Sequence, residues 1–187
     1  MRNIVIAAVL VSGMLGFDAA QAEDFRLTSP DVADGGTIKA GQVYKGSGCT
    51  GANVSPALRW SGAPAAAKSF AVTLFDPDAP TGSGWWHWIV FNIPVAVTRL
   101  PANAGAADSQ ALPPGAVEGR SDFGVSHYGG PCPPAGDRPH HYQVTVYALK
   151  VAKLPLDSSA SGAMVGYYLH FNTIAKARLI GRYGRSK

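Results

Sequence analysis

The stretch FAVTLFDPDAPTGSGWWHWIVFNIP, residues 70–94, decides how the chain folds. Residues 70–75 and 86–93 are apolar and rich in β-branched and aromatic side chains, which favour strands. The segment between them consists of Asp, Pro, Ala, Thr, Gly and Ser, a composition typical of a turn or loop. The sequence therefore predicts a strand, a loop and a second strand. Because the first strand is apolar throughout, we expect it to be buried on both faces of a sheet.

Polar residues lie where this loop meets the two strands. Asp76 and Asp78 follow the first strand, and His87 stands at the start of the second. Strand alternation predicts that His87 faces away from Trp86 and Trp88, so the tryptophans can pack in a core while His87 faces a cleft. Carboxylates and an imidazole at adjoining strand ends could form a binding site.

A second segment, HYGGPCPPAGDRPHHYQVTVYAL at residues 127–149, supplies matching groups. Its Pro and Gly content predicts a loop, and residues 142–149 then predict a strand. On an extended chain, His140 and Tyr142 point to one face and His141 points to the other. We expect the loop and this strand to border the same cleft as the hairpin.

The predicted ligand pocket combines side chains from both segments with loop backbone. Imidazole, phenol and amide groups are donors that suit an oxyanion, and a carboxylate can orient an imidazole. Asp78 could satisfy loop amides or hold His140, Pro80 would fix the loop, and Trp86 would either wall the pocket or pack in the core. The predicted pocket residues are Asp76, His87, Gly130, Pro134, His140 and Tyr142.

The two segments together resemble the phosphatidylethanolamine-binding protein family, which includes the Raf kinase inhibitor proteins. The resemblance extends over nearly all of the chain after residue 25, and Asn53-Val54-Ser55-Pro56 with Trp60 looks like the bacterial branch. It implies two antiparallel sheets with Greek-key links, and a small pocket for phosphate-type groups or phospholipid headgroups that needs no metal or cofactor. The other matching motifs are Asp76-Pro-Asp-Ala-Pro80, Trp86-His87-Trp88, residues 130–136 and His140-His141-Tyr142.

Only the C-terminal part of the chain shows a helical pattern. Apolar residues recur at spacings of three and four from Met164 to Tyr183, which predicts one helix that ends at Gly184. Asp157 or Ser158 could cap its start. Short strands followed by one helix predict a mainly β fold, an antiparallel β-sandwich with a C-terminal helix.

The N-terminus has the pattern of an export signal. Arg2 is followed by an apolar stretch that reaches about Phe17 and by Ala20-Gln21-Ala22, an A-x-A cleavage site. We expect cleavage after Ala22, which would leave one domain at residues 23–187 in the periplasm or outside the cell. An uncleaved anchor is the alternative, but the stretch is shorter than the roughly 20 residues of a membrane span.

Charge and cysteine content narrow the possibilities further. The formal net charge is only +4, and no basic run with interleaved aromatic residues predicts nucleic-acid binding. In an exported protein, Cys49 and Cys132 favour a disulfide over two free thiols. The bridge would clamp the Pro-rich loop to the Gly-rich segment near Cys49.

Three classes of function remain open from the sequence. The resemblance favours a binding protein for a small phosphorylated or anionic ligand. Relatives that inhibit kinases or proteases by contact make an interaction module or an inhibitor of an envelope protein the alternative. A metal hydrolase that uses His87, His140 and Asp76 is a weaker hypothesis, since no H-E-x-x-H motif or G-x-S-x-G elbow is present. We therefore expect neither catalysis nor a metal.

The pocket also predicts a dependence of binding on pH. If protonated His87 and His140 held the anion, the affinity for a phosphate ester should fall between about pH 6 and 8. Ionisation of a phosphomonoester would oppose this effect, so a phosphodiester would be the cleaner probe.

Overall fold

The computed structural model describes residues 24–187, and the predicted signal peptide, residues 1–22, lies outside the described part. The described chain has many short strands and one helix in the C-terminal part. The elements in chain order are β1 (Arg26–Thr28), β2 (Lys45–Gly46), β3 (Cys49–Thr50), β4 (Leu58–Ser61), β5 (Ser69–Asp76), β6 (Trp85–Pro94), β7 (Arg99–Leu100), β8 (Val117–Glu118), β9 (His140–Leu149), α1 (Gly162–Asn172) and β10 (Thr173–Tyr183).

The main sheet has five strands in the order β10-β9-β5-β6-β8, and all of its pairs are antiparallel. A three-stranded sheet has the order β1-β4-β7, and β2 pairs with β3. β5 lies at the centre of the main sheet, and seven of its eight residues are buried, a pattern that only a centre strand covered on both faces can sustain. The predicted hairpin, the buried first strand and the mainly β fold are confirmed.

Each face of β5 belongs to a different apolar cluster. Phe70, Val72 and Leu74 lie in the large cluster with Trp60 and Tyr142, on the side of the three-stranded sheet. Ala71 lies in a smaller cluster with residues from β6, from the end of β9 and the segment after it, and from α1: Ile89, Phe91, Leu149, Leu154, Val165 and Leu169. The alternation along one strand thus builds both cores of the protein.

The prediction of one helix from Met164 to Tyr183 is wrong in its second half. The helix ends at Asn172, where Thr173 donates both its backbone N–H and its hydroxyl to the Leu169 carbonyl. β10 then runs antiparallel to β9, with Ala177 and Leu179 buried and Arg178 exposed between them. This stretch fits a period of two as well as a helical period, and pairing with β9 decides between them.

The predicted start of the helix is also wrong. The cap is Ser161, whose side chain accepts a hydrogen bond from the Met164 backbone N–H at 3.2 Å. Asp157 instead accepts bonds from Ser159 in the preceding turn. The sequence pattern does not show how many turn residues precede the first helical residue. The predicted cap therefore lies too early in the sequence.

The predicted disulfide is confirmed. Cys49 in β3 and Cys132 in the Pro-rich loop are bonded, with Cα atoms 6.0 Å apart and a sequence separation of 83 residues. The bridge ties that loop to the two-stranded ribbon. Within residues 24–187, no helix has both the length and the apolar content needed to cross a bilayer.

We predict that replacing both cysteines by serine destabilises the protein strongly. A crosslink across 83 residues restricts the unfolded chain, and the chain-entropy model gives about 4–5 kcal/mol. Urea unfolding of the parent and of Cys49→Ser/Cys132→Ser would measure the difference. Reduction with dithiothreitol should lower the free energy of unfolding of the parent to that of the variant and leave the value for the variant unchanged. Equal stability of both oxidised proteins would contradict the prediction.

Two glycines of α1 give a matched pair for the packing of the helix on β6. A Cβ at Gly162 would lie 2.2 Å from Trp86 Cγ, whereas one at Gly166 would lie 3.6 Å from Trp86 Cζ2, an ordinary contact. Gly162→Ala should therefore cost about 1–3 kcal/mol through overpacking. Gly166→Ala should be neutral or gain up to about 1 kcal/mol from helix propensity. Urea unfolding of the two variants tests the difference, and equal effects would contradict the packing.

Candidate functional site

A cavity of about 230 Å³ lies where β5 ends, β6 begins and β9 begins. Because β5 pairs antiparallel with both neighbours, its last residue lies beside the first residues of the other two strands. The loop after β5, the Pro-rich loop and Phe123 complete the wall. The lining residues are Ser47, Asp76, Ala79, Pro80, Thr81, Trp85, His87, Phe123, Cys132, Pro133, Pro134, His140 and Tyr142.

Asp76 and His140 form a buried pair at the base of this cavity. Each side chain is only 3% exposed, and His140 Nδ1 lies 2.7 Å from Asp76 Oδ2. An ionised carboxylate can only accept, so Nδ1 carries the hydrogen of this bond. Asp76 Oδ1 accepts a second bond from the Asp78 backbone N–H at 2.9 Å. His140 Nε2 is 3.6 Å from an Asp137 carboxylate oxygen, beyond hydrogen-bonding distance.

His87 is a buried and neutral imidazole. Its Nδ1 lies 2.7 Å from the Gly129 carbonyl oxygen and donates to it, since a carbonyl can only accept. Burial lowers the pKa of His87 to about 4, although the Gly129 bond and the negative charge of Asp76 act in the opposite direction. At neutral pH its Nε2 therefore carries a lone pair and acts as a hydrogen-bond acceptor.

The neutral His87 corrects one expectation from the sequence. We expected protonated His87 to hold an anion between about pH 6 and 8, but a pKa of about 4 leaves it uncharged throughout that range. The cost of placing an isolated charge in a buried site is the physical reason. The sequence shows that a histidine is present but does not show how deeply it is buried.

Tyr142 places a phenol beside both imidazoles. Its ring stacks on His140 with centroids 6.3 Å apart and meets His87 edge-on at 5.2 Å. Burial raises the pKa of Tyr142 well above its ordinary value, and the nearby Asp76 carboxylate raises it further by favouring the neutral hydroxyl, although the two groups do not reach hydrogen-bonding geometry, so the hydroxyl stays protonated. This hydroxyl is one of two buried side-chain polar groups in residues 24–187 that have no hydrogen-bond partner; Trp60 Nε1 is the other.

Gly130 does not provide the free amide that the sequence analysis predicted. Its N–H donates to Asn53 Oδ1 at 2.8 Å, and Asn53 Nδ2 donates to the Tyr128 carbonyl at 3.2 Å. A Cβ at Gly130 would lie 2.1 Å from the Gln42 carbonyl oxygen, so close packing explains why a glycine stands there. Asn53 thus fixes the loop, whereas Pro134 borders the cavity as predicted.

Asp78 supports the site, but through His141 and not through His140. Its Oδ2 accepts from the His141 backbone N–H at 2.8 Å and from His141 Nδ1 at 2.7 Å, and its Oδ1 accepts from Arg138 at 3.1 Å. Burial would raise the pKa of Asp78, but the hydrogen bonds from His141 and the charges of His141 and Arg138 outweigh this effect and lower the pKa. Asp78 therefore fastens the start of β9 to the loop after β5.

The predicted faces of the tryptophans are partly wrong. A register irregularity lies where Leu74 pairs with Trp88 and Phe75 pairs with Trp86, so His87 is the extra residue of a bulge. Trp88 packs in the large core, whereas Trp86 packs in the small core beneath α1 and does not line the cavity. Trp85 lines the cavity in its place.

Trp85 and Phe123 are the aromatic wall that the sequence analysis missed. Trp85 meets Phe123 edge-on at 5.5 Å, and Phe123 also meets the His87 ring at 5.4 Å. Alternation from His87 would have placed Trp85 on the cavity side, but no sequence pattern marks Phe123.

Tyr128 is a core residue, and Ser126 donates to the Ser158 carbonyl. In residues 24–187, no three potential ligand side chains are arranged to hold a metal ion.

The fold and the cavity together define a small β protein with a ligand-sized pocket at the strand ends. The family model described as phosphatidylethanolamine-binding protein matches residues 28–184. The protein YbcL of Escherichia coli K12 is 52% identical over 183 residues, covering 98% of both chains. The chain belongs to the phosphatidylethanolamine-binding protein family, as the sequence resemblance indicated.

The solved structure of YbcL and one further relative agree with this assignment. The crystal structure of Escherichia coli YbcL, described as a new member of the mammalian PEBP family, superposes with a TM-score of 0.84 at 56% identity, over 86% of this chain and 98% of that one. A Mycobacterium tuberculosis H37Rv protein, provisionally named the lipoprotein LppC, is 38% identical over 165 residues, which is 88% of this chain and 75% of that protein. The fold is therefore common to relatives from distant bacteria.

We predict that acid destabilises the protein through His87. The imidazole has a pKa of about 4 in the folded protein and an ordinary value of 6.5 in the unfolded chain. Because the unfolded chain binds more protons between these values, the free energy of unfolding falls by about 3 kcal/mol as the pH is lowered through this window. Urea midpoints from pH 7 to 4 should fall less steeply for His87→Gln than for the parent. Identical slopes would contradict a buried neutral imidazole.

Proposed function

We propose that the protein is an exported binding protein whose cavity takes a phosphate-type group, free or as part of a phospholipid headgroup. The observation that carries this proposal is the buried Tyr142 hydroxyl, which has no hydrogen-bond partner in residues 24–187 although it lies at a cavity. A buried unpaired hydroxyl costs about 1–3 kcal/mol, and a ligand oxygen that accepted from it would remove that cost. The proposed ligand-contact residues are Asp76, His87, Pro134, His140 and Tyr142, with the loop near Gly130.

The proposed ligand carries a proton into the site. Tyr142 offers a donor, whereas neutral His87 offers the lone pair of Nε2 as an acceptor. A phosphate group that carries one proton can accept a hydrogen bond from the Tyr142 phenol and donate one to the His87 imidazole at the same time. The lining side chains include no lysine or arginine, and Asp76 is buried among them, so a fully ionised phosphate would meet no permanent positive charge.

An envelope location and a role without catalysis belong to the same proposal. The relative named as a lipoprotein and the signal-like pattern of residues 1–22 support export, with cleavage after Ala22. The Asp76 carboxylate is already bonded to His140, and His87 Nδ1 to a backbone carbonyl, so both groups act as fixed recognition elements. Binding without turnover is the activity that these contacts support best.

One prediction of this proposal separates ligand binding from folding. Tyr142→Phe removes a hydroxyl with no bond in the described chain, so stability should stay equal or rise by about 1 kcal/mol, while affinity for O-phosphorylethanolamine falls about tenfold. Tyr128→Phe is the matched control, because its hydroxyl donates to the Gln42 carbonyl at 2.7 Å in the core. It should lose about 1 kcal/mol and keep its affinity. NMR titration and urea unfolding measure both quantities.

Saturable amide shifts near Asp76, His87 and Tyr142 are the expected result of that titration. Their loss in a His87→Ala/His140→Ala variant would be consistent with the site, provided that the variant still shows a folded spectrum. If the parent shows no shifts at millimolar ligand, or if Tyr142→Phe binds as tightly as the parent, the proposed pocket is wrong.

The same proposal predicts that a phosphomonoester binds together with a proton. Because the complex needs a proton on the phosphate or on His87, affinity for a phosphomonoester should fall about tenfold for each pH unit above the second phosphate pKa of about 6. Calorimetry at pH 7.5 in buffers of different ionisation enthalpy should show uptake of close to one proton. A constant affinity between pH 6 and 8 without proton uptake would contradict the proposed hydrogen bonding.

A further inference from the structure

The outward surface of α1 is apolar although it faces solvent. On α1, Met164, Tyr167 and Phe171 follow one another at three- and four-residue spacing, and Ile174 follows at the start of β10. These side chains are 48%, 61%, 56% and 39% exposed, respectively. We call these four residues the helix patch. Because Val165 and Leu169 on the opposite side are buried, the helix is apolar on both sides.

The helix patch is a continuous surface. The Tyr167 and Phe171 rings lie edge to face with centroids 5.0 Å apart, and His170 meets Phe171 at 4.9 Å. Contiguous exposed apolar groups of this kind mark interaction surfaces, whereas single exposed residues do not. Val95 and Val125 are the other exposed large apolar side chains in the described part of the chain, and neither lies on α1.

Positive side chains lie at both ends of the helix patch. Near the start of α1, Arg120 and Lys153 border the same depression as Met164. Near its end, Lys176 borders a groove with Ile174, which Trp86, Tyr147 and His170 also line. Lys150 lies beside the end of the helix, since its backbone N–H donates to the Asn172 carbonyl at 2.9 Å.

Negative charge is scarce on this side of the chain. Asp157 is the only acidic residue from 142 to 187, a stretch that contains α1, β10 and most of β9. Asp157 lines the depression near Met164 together with Arg120 and Lys153, and Asp122 accepts a hydrogen bond from the Trp86 backbone N–H beneath the helix. The helix patch is therefore apolar in the middle, and lysine and arginine side chains outnumber carboxylates around it.

We propose that the helix patch docks on an anionic phospholipid surface. Aromatic and apolar side chains would enter the headgroup region, and the flanking cations would contact lipid phosphates, the arrangement that holds interfacial helices on membranes. A second copy of the chain fits less well, because a twofold interface would bring the same cations close to one another. The proposal does not depend on the ligand cavity, because the helix patch and the cavity have no lining residue in common.

Vesicle binding tests the proposal directly. The purified protein, with its N-terminus established by intact mass, would be sedimented with phosphatidylcholine vesicles and with vesicles containing about one third phosphatidylglycerol. Binding should require the anionic lipid and weaken as the salt concentration rises above about 0.1 M. Tyr167→Ser/Phe171→Ser should reduce binding at least tenfold, and Lys150→Gln/Lys176→Gln should reduce it about fivefold for each lysine.

Matched variants elsewhere on the surface serve as controls. Val95→Ser removes an exposed apolar side chain, and Lys39→Gln/Lys45→Gln removes two exposed positive charges away from α1. Val95→Ser should reduce vesicle binding by less than twofold. Lys39→Gln/Lys45→Gln should reduce it clearly less than Lys150→Gln/Lys176→Gln does. All substituted side chains are exposed, so urea unfolding should show parent-like stability.

Three results would overturn the proposal. The first is no binding to anionic vesicles at low salt. The second is equal binding by the parent and by both α1 variants. The third is a dimer, or a complex with an acidic protein, that Tyr167→Ser/Phe171→Ser abolishes while vesicle binding is absent, since the helix patch would then be a protein interface.

Discussion

The hydrogen-bonded pairing of β5 with β6 on one side and β9 on the other positions everything else in this protein. It makes β5 a strand without an exposed edge or face, so its alternate side chains can form two separate cores. It also brings the end of β5 beside the starts of its two neighbours. Asp76 and His87 from the hairpin meet there with His140, which is far from both in sequence.

Burial governs the chemistry of the groups that meet at this point. The buried polar groups of the site are stabilised in two ways. Asp76 is paired with His140, and His87 stays neutral and donates a hydrogen bond to a backbone carbonyl. Among the fully buried side-chain polar atoms of the described cavity residues, only the Tyr142 hydroxyl has no hydrogen-bond partner. The proposed ligand completes this set, which is why its protonation state matters more than its net negative charge.

Much of the fold could be predicted from local pattern. The apolar β5, the turn residues after it and the alternation of His140 and Tyr142 follow from strand geometry and turn chemistry, and the disulfide was predicted because the N-terminal pattern favours export. The second half of the predicted helix failed because residues 173–183 satisfy two periods, and only β9, a distant partner, selects the strand. Local sequence contains no information about that partner.

The errors in the site have the same origin. Trp86 and Trp88 belong to different cores because a bulge at His87 shifts the register, and Gly130 has no free amide because Asn53, 77 residues away, binds it. Such features depend on tertiary contacts. They explain why residue types in the cavity could be predicted while hydrogen-bond roles and charge states could not.

The most direct test is a ¹⁵N NMR measurement of the His87 imidazole at pH 7, without and with O-phosphorylethanolamine. The proposed contacts predict a hydrogen on Nδ1 and a free lone pair on Nε2 in the unliganded protein, and a large upfield shift of Nε2 when the ligand donates or transfers its proton. An imidazolium in the free protein would contradict the buried neutral state. An Nε2 signal unchanged at saturating ligand would contradict the proposed role of the cavity.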